Sequence, residues 1–406
     1  MKSLWTEARP AGALRPAGWR WGLTALLLGA LAGVVACGGG VEVGGTGDAS
    51  TYAEGSISGF GSIVVNGVHY DESAATIVNE DGLVLAAGDL RLGMVVRVDG
   101  GAIDSGTLTA TAQKVTVAPD LLGPVQSTDA ALGRFTVLGQ TVRINSDTAW
   151  AEALSGGVSA LAAGQVVVVH AVYDAAAGTY LARRVELPTG AVTAYFVRGA
   201  VGAVEEGAKT FTLGAGTFRY VSAPAGLAAG ALLRLKLETV ADASGRWLVT
   251  TAGAGRTRPA DGRKVELEGV VSALSGASRF TLAGQVVDIA SARVSPSGTV
   301  LAAGMRVEVE GAMASGVLVA TRLEVRDADD DGEDDDPRAV EIEGRISALD
   351  AVAQTLVVRG VTVHYGQASF SSGKPADLKL NGRIEVRGRW AGDGVTLVAE
   401  QVKLED

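Results

Sequence analysis

Cysteine, histidine and aromatic residues are all scarce in this chain, and each shortage removes a class of protein. A single cysteine, Cys37, excludes an intramolecular disulfide and any multi-cysteine metal centre. Three histidines, His69, His170 and His364, leave few candidate catalysts, and no Gly-x-Ser-x-Gly elbow, His-Glu-x-x-His helix or dinucleotide fingerprint accompanies them. Gly59-Phe60-Gly61-Ser62 is glycine-rich but has no helix behind it to cradle a phosphate, so a bulge with Phe60 in the core is the better reading. With 5% aromatics, the core falls to Val, Leu, Ile and Ala. Basic residues are also short, 35 against 45 acidic, which argues against nucleic acid as a partner. Only 10 prolines stand beside 56 glycines, a turn-rich composition without polyproline or collagen character.

What is present is a repeat. A strand opening recurs five times, at Gly55-Ser56-Ile57, Gly123-Pro124-Val125, Gly199-Ala200-Val201, Gly269-Val270-Val271 and Gly344-Arg345-Ile346, spaced 68 to 76 residues apart. That period is too long for a solenoid unit and suits a small domain. A second landmark is a leucine three residues before a turn position: Leu90 with Gly93, Leu161 with Gly164, Leu227 with Gly230, Leu301 with Gly304 and Leu378 with Asn381. Asn tolerates positive φ best after Gly, so the exception supports a left-handed turn. An alternating closing strand is the third landmark, and it is weak in the third copy, which ends in Ala252-Gly253-Ala254-Gly255.

Between landmarks the apolar period is two, as in Phe135-Val137 with Val142-Ile144, and the pattern reads as hairpins. Asn66-Gly67 suits a type I′ turn, while Gly139-Gln140, Gly284-Gln285 and Gly360-Val361 suit type II′. Five or six short strands per copy bury a core best by curling closed, which would also remove exposed edges. The expected fold is all-β: five tandem small antiparallel β-barrel modules of the OB or SH3 kind, with a two-sheet sandwich as second choice. The modules fall at 53–120, 121–194, 195–262 (degenerate), 263–326 and 338–406, with an acidic linker at 327–337.

The amino terminus reads as an address. Lys2, Arg9, Arg15 and Arg20 precede an apolar stretch from Gly22 to Ala36, short for a membrane span, and small residues lead into Cys37. Val34-Val35-Ala36-Cys37 resembles the bacterial lipobox. The resemblance implies removal of a signal peptide at 1–36, lipidation of Cys37 and a membrane partner through that lipid anchor. A plain secretory signal or an uncleaved anchor is the other reading. Gly38, where an Asp is associated with inner-membrane retention, favours the outer membrane of the cell envelope. The glycine-rich stretch within 37–52 would be a flexible tether reaching about 20 Å. Loss of residues 1–36 leaves 31 basic and 44 acidic residues.

Eight acidic residues crowd into 327–336. One reading is a solvated, self-repelling linker. The other is a calcium loop: Asp327, Asp329 and Asp331 before Gly332 have the right alternation, with Glu333 or Asp335 completing it because the twelfth position is Arg338. No other cofactor is implied. His69 and His364 both sit in Val-His-Tyr triplets, whose Val and Tyr would face inward and whose His would face outward to solvent. His170, after Val166 to Val169, reads as a similar strand-end position. Trp150, Trp247 and Trp390 occupy different slots, which argues against a repeated sugar-stacking platform.

The stretch from Gly55 to Tyr70, Gly-Ser-Ile-Ser-Gly-Phe-Gly-Ser-Ile-Val-Val-Asn-Gly-Val-His-Tyr, resembles the opening of modules in bacterial domain-of-unknown-function family 5666. The match is specific in the first copy, moderate in the fourth and fifth, and weak in the second and third. It implies a small β-barrel in an exported setting and carries over no catalytic residue. The expected function is therefore a non-enzymatic, lipid-anchored envelope protein whose barrels form a binding or spacer array for a protein or glycan partner. The alternatives are an envelope enzyme with an inter-module carboxylate site and a calcium-stabilised surface protein.

Overall fold

In the first copy the strands are β1 Thr51–Phe60, β2 Ile63–Val65, β3 Val68–Asp71, β4 Thr76–Asn79, β5 Val95–Gly100 and β6 Thr109–Val117. The computed structural model describes residues 51–104, 106–174, 177–255, 258–282, 284–325 and 339–405. Pairing runs in a ring: β1 with β2, β2 with β3, β3 with β6, β6 with β5, and β5 back to β1, with β4 alongside the later part of β6. The same ring recurs from the first strands Leu121–Asp129, Tyr195–Glu205, Lys264–Leu274 and Val340–Asp350. The third ring closes like the others despite its weak sequence, through Phe218 and Arg219 pairing with Trp247 and Leu248.

The fold is all-β, but the rings are not wholly antiparallel. The third strand closes parallel to the last, as in His69 to Asp71 against Thr109 to Thr111. A ring of five strands cannot alternate direction all the way round, so one parallel pairing is unavoidable.

The two main landmarks bond to each other. Gly93 N–H donates to Ile57 O and Ile57 N–H to Met94 O, at 2.8 and 2.9 Å. The equivalent pair forms between Gly164 and Val125, Gly230 and Val201, Gly304 and Val271, and Asn381 and Ile346. All five turn residues have positive φ, from +64° at Asn381 to +92° at Gly304, the left-handed turn the asparagine suggested. The bonded apolar residue stands just where the first strand shifts register and changes partner from the fifth strand to the second. At Gly123 a Cβ would lie 2.6 Å from the Leu138 side chain, so the opening glycine allows close approach over the core.

Asn66 and Gly67 form the expected type I′ turn, at φ 53° and 78°. Two other hairpin turns differ from expectation by one residue, and the one expected at Gly284-Gln285 adjoins residue 283, outside the described residues. Leu138-Gly139 and Arg359-Gly360 are the central pairs, each with both φ positive, so these are also type I′. Its twist matches that of the flanking strands, and this outweighs the penalty of placing Leu138 and Arg359 in a left-handed conformation.

The barrels are not separate beads. Because β1 changes partner midway, each half has one edge that ring closure leaves open, and neighbours use it. Thr51 to Glu54 pair in parallel with Lys264 to Leu267 of the fourth barrel, and Gly59 and Phe60 with Glu341 and Ile342 of the fifth. Leu121 and Leu122 pair antiparallel with Val197 and Phe196. Every such pairing joins one barrel's first strand to another's. The buried apolar residues accordingly merge, the first barrel's with the fifth's and the second's with the third's, while the fourth barrel's core takes in Tyr52. Closure of small barrels was expected to remove their edges and leave self-contained cores; the mid-strand change of partner explains why it does neither. Asp48–Asp406 form one compact unit.

Candidate functional site

Strand alternation aims a set of carboxylates outward from the fourth and fifth barrels. In Val265-Glu266-Leu267-Glu268-Gly269 and Val340-Glu341-Ile342-Glu343-Gly344 the apolar residues enter the barrel and the glutamates leave it. On an isolated barrel these positions would face water. Here they flank the seam with β1, and a cavity of about 340 Å³ opens between the first, fourth and fifth barrels. Its lining includes Ser56, Asn66 and His69 from the first barrel, Glu266, Glu308 and Glu310 from the fourth, and Glu341 and Arg387 from the fifth.

Register makes this wall electrostatically costly. Glu266 stands directly opposite Glu310, and Glu268 opposite Glu308. Like charges facing across strands are destabilising, and the two pairs relieve this differently. Glu268 is neutralised by cations: Arg183 Nη2 of the second barrel and Arg306 Nε donate to Oε1, both at 2.7 Å. Burial alone would raise the Glu268 pKa, but the two guanidiniums outweigh it and hold the group at about 2. Glu266 has no such cage. Burial, then the neighbouring Glu308 carboxylate, push it well above the usual carboxylate range, and the two carboxyls are hydrogen-bonded. Glu341 is raised by burial, with His69 opposing.

Two further polar centres tie barrels together. Glu80 forms ion pairs with Arg198 Nη2 at 2.5 Å and Arg234 Nε at 2.7 Å from the third barrel, and with Arg97 from its own. Arg198 also faces buried Asp120, whose pKa burial lifts to about 6 against the guanidinium's pull. His170, expected at an exposed strand end, is 1% exposed: its Nδ1 accepts the Val95 N–H at 3.1 Å, and Nε2 lies 3.7 Å from Glu186. Its partner lies in the first barrel, which is why a strand-end position is enclosed.

His69 does point away from its own core, where Val68 and Tyr70 are buried, yet it is half-buried against the cavity instead of facing solvent. Ser62 Oγ lies 3.4 Å from its Nδ1. His364 is also half-buried. Trp150 and Trp247 are buried, the first against Phe135 and the second edge-on to Tyr195, and Trp390 is half-buried. Cys37 and the run containing Asp327, Asp329, Asp331, Glu333 and Asp335 lie outside the described residues. Among the described residues no three His, Cys, Asp or Glu converge as a metal site.

The carboxylate wall escaped the sequence reading, although a signal existed. A glutamate immediately precedes the opening glycine in the first, fourth and fifth copies, as Glu54, Glu268 and Glu343, and these are the three barrels around the cavity.

Fold and cavity together define a tandem small-barrel protein with a charged chamber between barrels. The model for a domain of unknown function, DUF5666, matches residues 54–112, 123–186, 268–324 and 343–403, more than half of the chain, and the chain belongs to that family. The second copy, weak by its opening residues, is matched along its length. No curated protein matches the chain.

Proposed function

We propose that this chain is a lipid-anchored, non-enzymatic binding protein of the bacterial cell envelope, held at the outer membrane through Cys37. The lipobox-like Val34-Val35-Ala36-Cys37 and the following Gly38 support the address. The barrels are read as OB-type, on the long bent first strand and the parallel closure.

The observation that carries the binding reading is the inter-barrel cavity, a concave site with convergent polar groups and perturbed carboxylates. Merged cores favour a binding body over a spacer, since three first-strand seams fold the barrels onto one another. Glu266 and Glu308 are hydrogen-bonded, whereas the carboxyls of a glycoside hydrolase stand at least about 5 Å apart around the scissile bond, so this pair does not fit glycoside hydrolysis. Mass spectrometry of the protein from its native host tests the address: an acylated amino-terminal Cys37 is expected, and an unmodified thiol on an intact leader would overturn it.

A further inference from the structure

We propose that the cavity between the first, fourth and fifth barrels binds a small aliphatic diamine or polyamine. The inference rests on reading this cavity as a binding site and names the ligand class.

Charge is the first ground. The lining holds six glutamates, Glu266, Glu268, Glu308, Glu310, Glu324 and Glu341, against four cations, Lys264, Arg306, Arg322 and Arg387. An independent ground is Glu266 itself. The residue lines the chamber and is 7% exposed, and its buried Oε2 has no hydrogen-bond partner among the described residues. A buried acceptor left empty costs free energy that a donor from a ligand recovers.

Shape decides between cations. A chamber of about 340 Å³ is far larger than one metal ion, and no three ligating side chains converge among the described residues. Its acidic groups belong to two barrels, with Glu266 and Glu310 on the fourth and Glu341 on the fifth. Val64, Ile103 and Leu108 supply apolar wall on the first. Two ammonium ends joined by methylenes fit that division: each end meets carboxylates and the stem lies on the aliphatic side chains.

Ligand entry should displace a proton. Glu266 is faced by Glu308 and Glu310 from the adjoining strand, Arg322 from the next, and Tyr70 from the first barrel, and its charged form is disfavoured by burial and by Glu308. An ammonium beside it reverses that preference, so the carboxyl ionises and affinity rises with pH.

Titration calorimetry of the full chain with putrescine and spermidine, in two buffers of different ionisation heat, tests this. Saturable 1:1 binding with net proton release is expected, weakened at least tenfold by Glu266→Gln and by Glu341→Gln. Glu266→Gln keeps a neutral hydrogen-bonding group beside Glu308 and should fold; half-buried Glu341 provides the second variant. No binding, binding unchanged in both variants, or equal competition by magnesium at matched ionic strength would overturn the proposal. The address is tested separately: acylated Cys37 without amine binding sinks only the ligand, and amine binding with a free thiol sinks only the anchor.

Discussion

Replacing Gly93 and Gly164 by alanine compares two equivalent turns that differ in a single contact. Both glycines follow the landmark leucine, donate to the register-shift residue of the first strand, and sit at nearly the same φ, 79° and 82°. Forcing an L-residue into that conformation costs about 1–2 kcal/mol, partly offset by about 0.4–1 kcal/mol from a stiffer unfolded chain. A Cβ on Gly164 meets nothing within 4 Å, so about 1 kcal/mol is the whole expected loss. A Cβ on Gly93 would stand 2.4 Å from the Arg183 carbonyl oxygen of the second barrel, which must withdraw. Overpacking of that kind adds about 1–3 kcal/mol, giving a loss of roughly 2–4 kcal/mol for Gly93→Ala. Urea unfolding followed by circular dichroism reads both values. Equal losses in the two variants would refute the close contact between the first and second barrels. Gly164→Asn should recover most of the alanine loss, because Asn381 already fills that turn in the fifth barrel.

Glu80→Gln leaves Arg198, Arg234 and Arg97 crowded without their shared anion, and a loss of about 3–5 kcal/mol is expected, against under about 1 kcal/mol for Asp81→Asn at the exposed rim. Similar losses for the two, by urea unfolding, would show that Glu80 is not the hub. The Glu268 carboxyl, at about 2 in the fold and near 4.5 unfolded, contributes stability that is present above about pH 4.5 and lost as pH falls through 2, of order 3 kcal/mol. Glu268→Gln should flatten the acid limb of a stability–pH curve, and an unchanged limb would assign the acid sensitivity elsewhere.

The repeat, the strands and the left-handed turns were legible because each is a local matter. Alternation fixes which residues enter a core, and Asn381 standing where the other copies have glycine fixes the turn. The parallel closure was not legible, since it follows from counting strands round a ring and not from any residue. Nor were the seams: what joins Thr51–Glu54 to Lys264–Leu267 is backbone, and a free half-edge leaves no mark in the side chains. Buried charge was not legible for the same reason. Glu266, Arg198 and His170 occupy outward or strand-end positions of their own barrels and are enclosed by other barrels far along the chain.

Hydrogen exchange read by mass spectrometry at residues 51–54 and 264–267 bears most directly on the joining of barrels through their first strands. With both edges of these segments hydrogen-bonded, their amides should exchange as slowly as those of the strands inside each barrel. If half of them exchange within seconds while the barrels stay intact, the seams do not exist and neither does the chamber they enclose.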